Sequence, residues 1–413
     1  MKEYFKMLAS SMVVLILCVV ILNFLGNLVE RKESRIKYRD FFEQNEDFDI
    51  LFLGSSHMIS GVYPMELWDD YGIVSYNLGG HGSRIPTSYI VLKQALDYTT
   101  PQLVVIDCCN VKSDRMYSDS IEQAHLSLDA FPLTWHKVRD IHELIGDRKL
   151  ESEFLWNFVI YHNRWDSLTL QDLEPEISVE KGAESRIGVA VPNEFPIVSQ
   201  DNKMEEDTVG IAYLRKTIEL CQENDIDVLL TFIPFPADKD NQRDANRIYD
   251  IAEEYGVNYI NFLADVDVVD YEVDCLDEAS HLNPSGGKKV TEYIGKYISE
   301  HYDIPDRRSF TEYSFWEDDY QNYLDYKISL LKNQNSLACY LMLLYDNDLA
   351  CQIAVDEDSN IIMDEQIQRL IDNTGAEYIL SDLEEDIDIS IRVFYNNEIV
   401  DTGFFLDKYR VGN

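Results

Sequence analysis

Ile50-Leu51-Phe52-Leu53-Gly54-Ser55-Ser56-His57 is an apolar run that stops at a small, polar turn. The four large apolar residues suit a strand, and Gly-Ser-Ser suits a tight exit into a helix, since Ser is a favoured N-cap. Downstream, apolar strand candidates Ile73 to Tyr76, Leu103 to Ile106, Val228 to Ile233 and Tyr259 to Phe262 follow at intervals. Between them lie helical segments at Pro64 to Tyr71, Pro86 to Tyr98, Thr208 to Glu223 and Gln242 to Tyr255. Strands separated by helices of this length pair in parallel through right-handed crossovers, which predicts an α/β fold, a three-layer α/β/α sandwich. Sites in such sheets lie at the carboxyl ends of strands, where Ser56 falls.

A serine at such a turn needs a base. Asp277-Glu278-Ala279-Ser280-His281-Leu282-Asn283-Pro284 supplies a histidine beside two carboxylates, just before a helix running to His301. Asn283 and Pro284 also suit the N-cap and first position of that helix. A third element, Asn77-Leu78-Gly79-Gly80-His81-Gly82, frees the backbone to turn sharply and to aim an amide at a developing oxyanion.

With these three elements the chain resembles the SGNH (GDSL-like) hydrolase superfamily over roughly residues 47 to 303. The resemblance implies Ser56 as nucleophile, His281 as base and Gly82 as the glycine whose amide completes the oxyanion hole. The family's third block is usually Gly-x-Asn-Asp, whereas this chain has Asp107-Cys108-Cys109-Asn110, so Asn110 is the candidate third-block donor, with Asn77 as the other. In the fourth block the family has Asp three residues before His; here that position is Glu278, with Asp277 one further back, and either carboxylate can orient the imidazole. The Ser55-Ser56-His57 variant and an apolar N-terminal segment narrow the resemblance to a membrane-anchored, exported branch. That branch includes the D-alanyl transfer protein of teichoic-acid modification and the alginate O-acetylation proteins. It implies acyl transfer at cell-surface polymers, with a multi-spanning membrane acyltransferase as partner and a glycan or acyl donor as substrate. The chemistry requires no metal or organic cofactor. His57 and His81 have open roles: shaping the site, holding a divalent ion with Asp107, or surface hydrogen bonding.

The formal net charge of -41 argues against nucleic acid as a partner and against naked anionic polymers as substrates. From Met7 to Val29 no residue is charged, long enough for a helix to cross a bilayer, and no cleavage site follows cleanly, which favours an uncleaved signal anchor. Lys2 and Lys6 precede the span; Arg31, Lys32, Arg35, Lys37 and Arg39 follow it, a count that would hold the downstream side in the cytoplasm. Long domains translocate largely regardless of charge, and the resembling proteins are exported, so an extracytoplasmic domain is expected. The cysteines form no Cys-x-x-Cys pair, and Cys108-Cys109 reads as buried packing.

The expected organisation is an anchor (1–29), a helical stalk (30–46), the hydrolase-like domain (47–305) with an insertion at about 113–200, and a C-terminal α+β module (306–413). The insertion is either a lid or a structural excursion. In the module, Ala338 to Leu344, Leu349 to Val355 and Ile389 to Tyr395 read as strands and Met363 to Asn373 as a helix. The functional expectation is an exported, membrane-anchored acyl esterase or O-acyltransferase acting on envelope polysaccharide. The alternative is a non-catalytic scaffold of the same fold that binds a membrane acyltransferase or a surface polymer.

Overall fold

A computed structural model describes residues 2–30, 35–44, 46–169, 172, 177–193, 195, 197–384 and 386–411. The chain opens with α1 (Lys2–Val29) and the short α2 (Asp40–Gln44). Next come β1 (Ile50–Leu53), α3 (Ser56–Gly61), α4 (Pro64–Tyr71), β2 (Ser75–Asn77), α5 (Ile85–Ala95) and β3 (Leu103–Asp107). Helices α6 (Ile121–Leu128), α7 (Trp135–Ile145), α8 (Arg148–Leu155) and α9 (Asn157–Tyr161) then interrupt the alternation. It resumes with α10 (Val209–Glu223), β4 (Asp227–Phe232), α11 (Lys239–Tyr255), β5 (Asn258–Asn261) and α12 (Pro284–His301).

The five strands form one parallel sheet in the order β2-β1-β3-β4-β5. Alternate side chains divide its two faces, as the strand period of two requires. Ile50, Phe52, Leu103, Val105 and Leu229 pack with Leu67 of α4 and Val290, Ile294 and Ile298 of α12. Leu51, Leu53, Val104, Ile106 and Leu230 pack with Ile90 of α5, Leu214 and Ile218 of α10 and Ile248 and Ile251 of α11. Both faces are therefore covered, which is why β1 and β3 are buried at every position.

Glu3–Val29 is long and apolar enough to cross a membrane, and only 11% of its most apolar window is buried, unlike a core helix. The segment expected to be a stalk is tied into the domain: Tyr38, Phe41 and Phe42 are buried in the same core as Phe48 and Tyr76. Its residues 31–34 and 45, including Arg31 and Lys32, lie outside the described residues.

Beyond α12 the chain builds α13 (Phe315–Lys332), α14 (Leu337–Met342), β6 (Ala350–Asp356), α15 (Glu365–Asn373), β7 (Tyr378–Ser381), β8 (Ile389–Tyr395), β9 (Glu398–Leu406) and β10 (Tyr409–Arg410). These strands form a mixed sheet in the order β10-β9-β8-β6-β7. Residues 337–342 are helical where a strand over Ala338 to Leu344 is expected. A short apolar run does not distinguish the two by composition, and here Leu337, Tyr340, Leu341 and Leu344 share the buried side at helical spacing.

Candidate active site

Ser56 begins α3, immediately beyond β1. Ser55, not Ser56, is the N-cap: its backbone is extended (φ -95°) and its side-chain hydroxyl accepts the His57 amide at 3.4 Å. That leaves the Ser56 hydroxyl available. Gly54 is required because a Cβ there would lie 2.7 Å from Asp107 Cβ, where the ends of β1 and β3 converge.

The candidate base, His281, arrives from the other end of the domain. Asn283 caps α12 through the Gly286 amide (3.2 Å), and its own amide group donates to the carbonyls of Val273, Gly188 and Cys275. Gly287 lets α12 press on α3, since a Cβ there would lie 2.3 Å from the Ser60 carbonyl oxygen. Backbone approach is thus the reason for glycine in that first turn. A bridge between Cys275 and Leu282, with the Leu276 amide on the His281 carbonyl (2.9 Å), folds residues 276–281 into a small loop that projects His281 at α3.

The outcome is a three-residue relay. His281 Nε2 lies 2.9 Å from Ser56 Oγ, and His281 Nδ1 lies 2.6 Å from Asp277 Oδ2. The other Asp277 oxygen accepts the amides of Ala279 (3.0 Å) and Ser280 (2.6 Å), an Asx-type turn that fixes the carboxylate. Partial burial opposes ionisation of Asp277, but the bonds from His281, Ser280 and Ala279 outweigh it and hold the carboxyl at about 2. Glu278 is exposed, so of the two candidate carboxylates it is Asp277 that meets the imidazole.

The Asn77–Gly82 turn is laid against the loop that carries Ser56. The Gly80 amide donates to the Gly54 carbonyl (3.0 Å), and a Cβ on Gly79 would lie 3.0 Å from the Ser55 carbonyl oxygen. Gly82 takes a left-handed φ of 62°, with Ser118 and Gln123 against its open side. Asn77 does not serve as an oxyanion donor here. It is fully buried, its amide group donates to the carbonyls of Met58 and Val62 (both 2.8 Å), and its carbonyl accepts the Gly79 amide (3.0 Å). Asn77 holds the turn instead. Asn110 is oriented by Arg84, which donates to its Oδ1 at 2.5 Å, while its Nδ2 donates to the Ser83 carbonyl at 3.3 Å and keeps one hydrogen to offer.

Around this relay lie groups whose place was not legible in the sequence. The His57 ring stacks on Phe235 (4.4 Å between centroids, 24°) and meets His281 edge-on at 5.5 Å. Burial first, then the neighbouring His281, lowers its pKa to about 3, so His57 is neutral; its Nδ1 has no hydrogen-bond partner among the described residues. Asp107 is fully buried, and burial raises it to about 7 although the amides of Cys109 and Ile233 donate to its Oδ1. Ligand atoms of His57, Asp107 and Cys109 lie within 4.8 Å of one another, an arrangement able to offer three donors to a metal ion. One Asp107 oxygen is already taken by the two amides. Cys108 and Cys109 are buried, and burial raises both thiols well above their usual range.

Residues 177–190 of the insertion run beside the site. The Lys181 carbonyl accepts the Asn77 amide (2.9 Å), the Glu184 amide donates to Ile59 O (3.2 Å), and the Ala190 amide donates to Cys275 O (3.0 Å). This stretch therefore bridges the β2 edge, α3 and the His281 loop. It also delivers Glu184, whose carboxylate lies 2.9 Å from His81 Nε2 and holds that ring on the flank of the turn.

No protein-family model and no curated protein matches the chain. Among solved structures it is similar to a Bacteroides fragilis protein described provisionally as an acylhydrolase: 13% identity, TM-score 0.32, covering 62% of this chain and 93% of that one. It is also similar to a GDSL-like lipase from Bacteroides thetaiotaomicron: 11% identity, TM-score 0.30, covering 62% of this chain and 90% of that one.

Proposed function

We propose that this chain is a membrane-anchored serine acyl esterase or O-acyltransferase of the SGNH type, acting on acyl esters of cell-envelope polysaccharide. The observation that carries the chemical part is the unbroken chain from Ser56 Oγ through His281 to Asp277, with distances of 2.9 and 2.6 Å. Both lie within the reach needed for general-base activation of a hydroxyl.

In this reading Ser56 attacks the ester carbonyl as His281 takes its proton, and Asp277 fixes the imidazole tautomer and stabilises the imidazolium. The Ser56 amide at the head of α3, the Gly82 amide and the remaining Asn110 hydrogen are the oxyanion donors; losing one such donor costs on the order of 10²–10³ in rate. The protonated His281 then returns its proton to the leaving alcohol. The acyl group passes from Ser56 to water or to a sugar hydroxyl, by the same steps in reverse order.

What supports a polysaccharide acceptor is charge: an overall balance of -41 repels anionic polymers, whereas a neutral glycan or small acyl donor meets no such barrier. The extracytoplasmic side and a multi-spanning acyltransferase partner belong to the same proposal. A fluorophosphonate probe tests its core. Labelling of the full chain that Ser56→Ala and His281→Ala each abolish supports the enzyme. A correctly folded chain left unlabelled while a control esterase reacts favours the scaffold reading instead.

A further inference from the structure

The surface of α1 is free of the domain only over part of its length. Residues from Tyr4 to Phe24 are largely unburied, whereas Gly26 and Val29 are buried against the domain. From Met7 to Phe24 a helix rises about 27 Å, close to the roughly 30 Å hydrocarbon thickness of a bilayer. If α1 spans with this length in the hydrocarbon, the second face of the bilayer falls at the level of Asn23 to Gly26.

That level is where the insertion meets α1. A Cβ on Gly26 would lie 3.3 Å from the Phe158 amide nitrogen and 3.6 Å from Asn157 Cβ, so α9 packs directly on the helix there. Leu22, Asn23 and Asn27 of α1 share a small cavity with Leu155, Trp156 and Asn157. Arg164 closes the junction by donating to the Val29 carbonyl at 2.7 Å and to the Glu30 carbonyl. Large apolar side chains are left uncovered beside this junction: Val159 is 51% exposed and Trp165 47%. They alternate with exposed His162, Asn163, Asp166 and Ser167, a mixture suited to a boundary between apolar and polar media.

We propose that residues 157–167 are an interfacial seat, lying in the headgroup region of the bilayer with Val159 and Trp165 at the acyl boundary. The proposal rests on α1 being a membrane span. Its occupant is the lipid surface itself, identified by continuity with the apolar length of α1 and by depth. An apolar seat does not depend on anionic lipid, which the net charge of -41 would repel, so a zwitterionic bilayer suffices. The seat also fixes the site relative to the membrane. Tyr38, shortly after α1, donates to the Gly79 carbonyl at 2.8 Å, so the segment leaving the membrane is bonded to the turn beside Ser56.

The test uses the full chain reconstituted in phosphatidylcholine bilayers, with and without brominated acyl chains. Trp68 and Trp316 are buried in the core and give an unquenched background, and every chain tested carries Trp135→Phe and Trp156→Phe, which removes the exposed tryptophan and the one at the α1 cavity. The expected result is flotation with the lipid, quenching of part of the tryptophan emission by the brominated lipid, and loss of most of that quenched part in Trp165→Phe. Val159→Gln, which leaves every tryptophan in place, should reduce the quenching without changing the circular dichroism. A chain that floats but whose lipid-quenched emission is unchanged by Trp165→Phe overturns the seat alone. A chain that does not float overturns the span and the seat together.

Discussion

The rim of the parallel sheet and the joint that ties the C-terminal region to it use buried charge in opposite ways. In the parallel sheet, covered on both faces, loops from every strand end converge on one rim and carry Ser56, the Asn77 turn, Asp107, Phe235 and His281. In the mixed sheet Ile353, Val355, Ile389, Ile391 and Val393 face a core, and Ile379, Leu380, Ile399 and Leu406 remain exposed. The charges joining the second region to the first form a closed network. Glu66 of α4 meets Lys288 of α12 at 3.0 Å and Lys327 of α13 at 3.1 Å, and Lys327 also reaches Asp346 and Asp348 at 2.9 Å. Paired charge there fastens two layers. At the rim, Asp107 is buried with no such cation among the described residues and Asp277 is committed to an imidazole, the kind of perturbed pair that marks a candidate reactive site.

The sharpest way to break this contrast is to remove the rim's reactive pair. Ser56→Ala or His281→Ala should lower kcat/KM for a simple ester such as p-nitrophenyl acetate by about 10⁴-fold or more, and the double variant should be no worse, because the residues act as a unit. Thermal unfolding should stay near that of the parent. Asp277→Asn should cost about 10²–10⁴-fold by holding the wrong tautomer, with KM little changed, whereas Glu278→Gln should stay within about twofold. Equal losses at 277 and 278 would remove the assigned orienting role.

The joint predicts the converse. Glu66→Ala leaves Lys288 and Lys327 buried and under-paired, so it should cost about 3–5 kcal/mol in chemical unfolding, the usual scale for stripping one partner from a buried pair. The Ser56–His281 geometry, and with it labelling by fluorophosphonate below the denaturation midpoint, should persist. Burial alone would raise the Glu66 carboxyl, but Lys327 and Lys288 outweigh it and hold it at about 2. A depressed carboxyl contributes stability above its unfolded pKa, lost as pH falls from roughly 4.5 toward 2. A parent chain with no such acid-limb loss relative to Glu66→Ala would contradict the network.

Much of this was readable from residues. Strand candidates and the helices Pro64 to Tyr71 and Pro284 to His301 stand out because both sheet faces are apolar and the helix starts carry Pro and Asn signals. Asp277 was not separable from Glu278, because the choice depends on an Asx-type turn closed by the Ala279 and Ser280 amides; a short side chain two residues before an amide is the one available hint. Asn77 misleads for a related reason. Its polarity beside glycines suits an oxyanion donor, but its amide hydrogens are already given to the carbonyls of Met58 and Val62, whose positions only the tertiary fold sets. His57 and Arg84 carry no spacing signal at all, since their partners Phe235 and Asn110 lie on other strands' loops.

Asp107 should show a pH dependence of the opposite sign to that of Glu66. Burial lifts its carboxyl to about 7, against the amides of Ile233 and Cys109 and the Ser55 hydroxyl, which favour the ion. A folded pKa above the unfolded value means that the folded chain holds the proton more tightly. The associated stability is complete below about pH 4 and declines as pH rises toward 7, by on the order of 1.4 kcal/mol per pH unit. Asp107→Asn does not titrate, yet it retains an oxygen for the Cys109 and Ile233 amides. Denaturant unfolding of both chains at intervals from pH 4 to 8 should therefore show the parent losing ground steadily to Asp107→Asn up to about pH 7 and running parallel above it. A difference that is flat across the window would mean that Asp107 is ionised throughout in the folded chain. The rim would then hold a compensated charge, as the joint does, and the contrast between the two regions would fail at that residue.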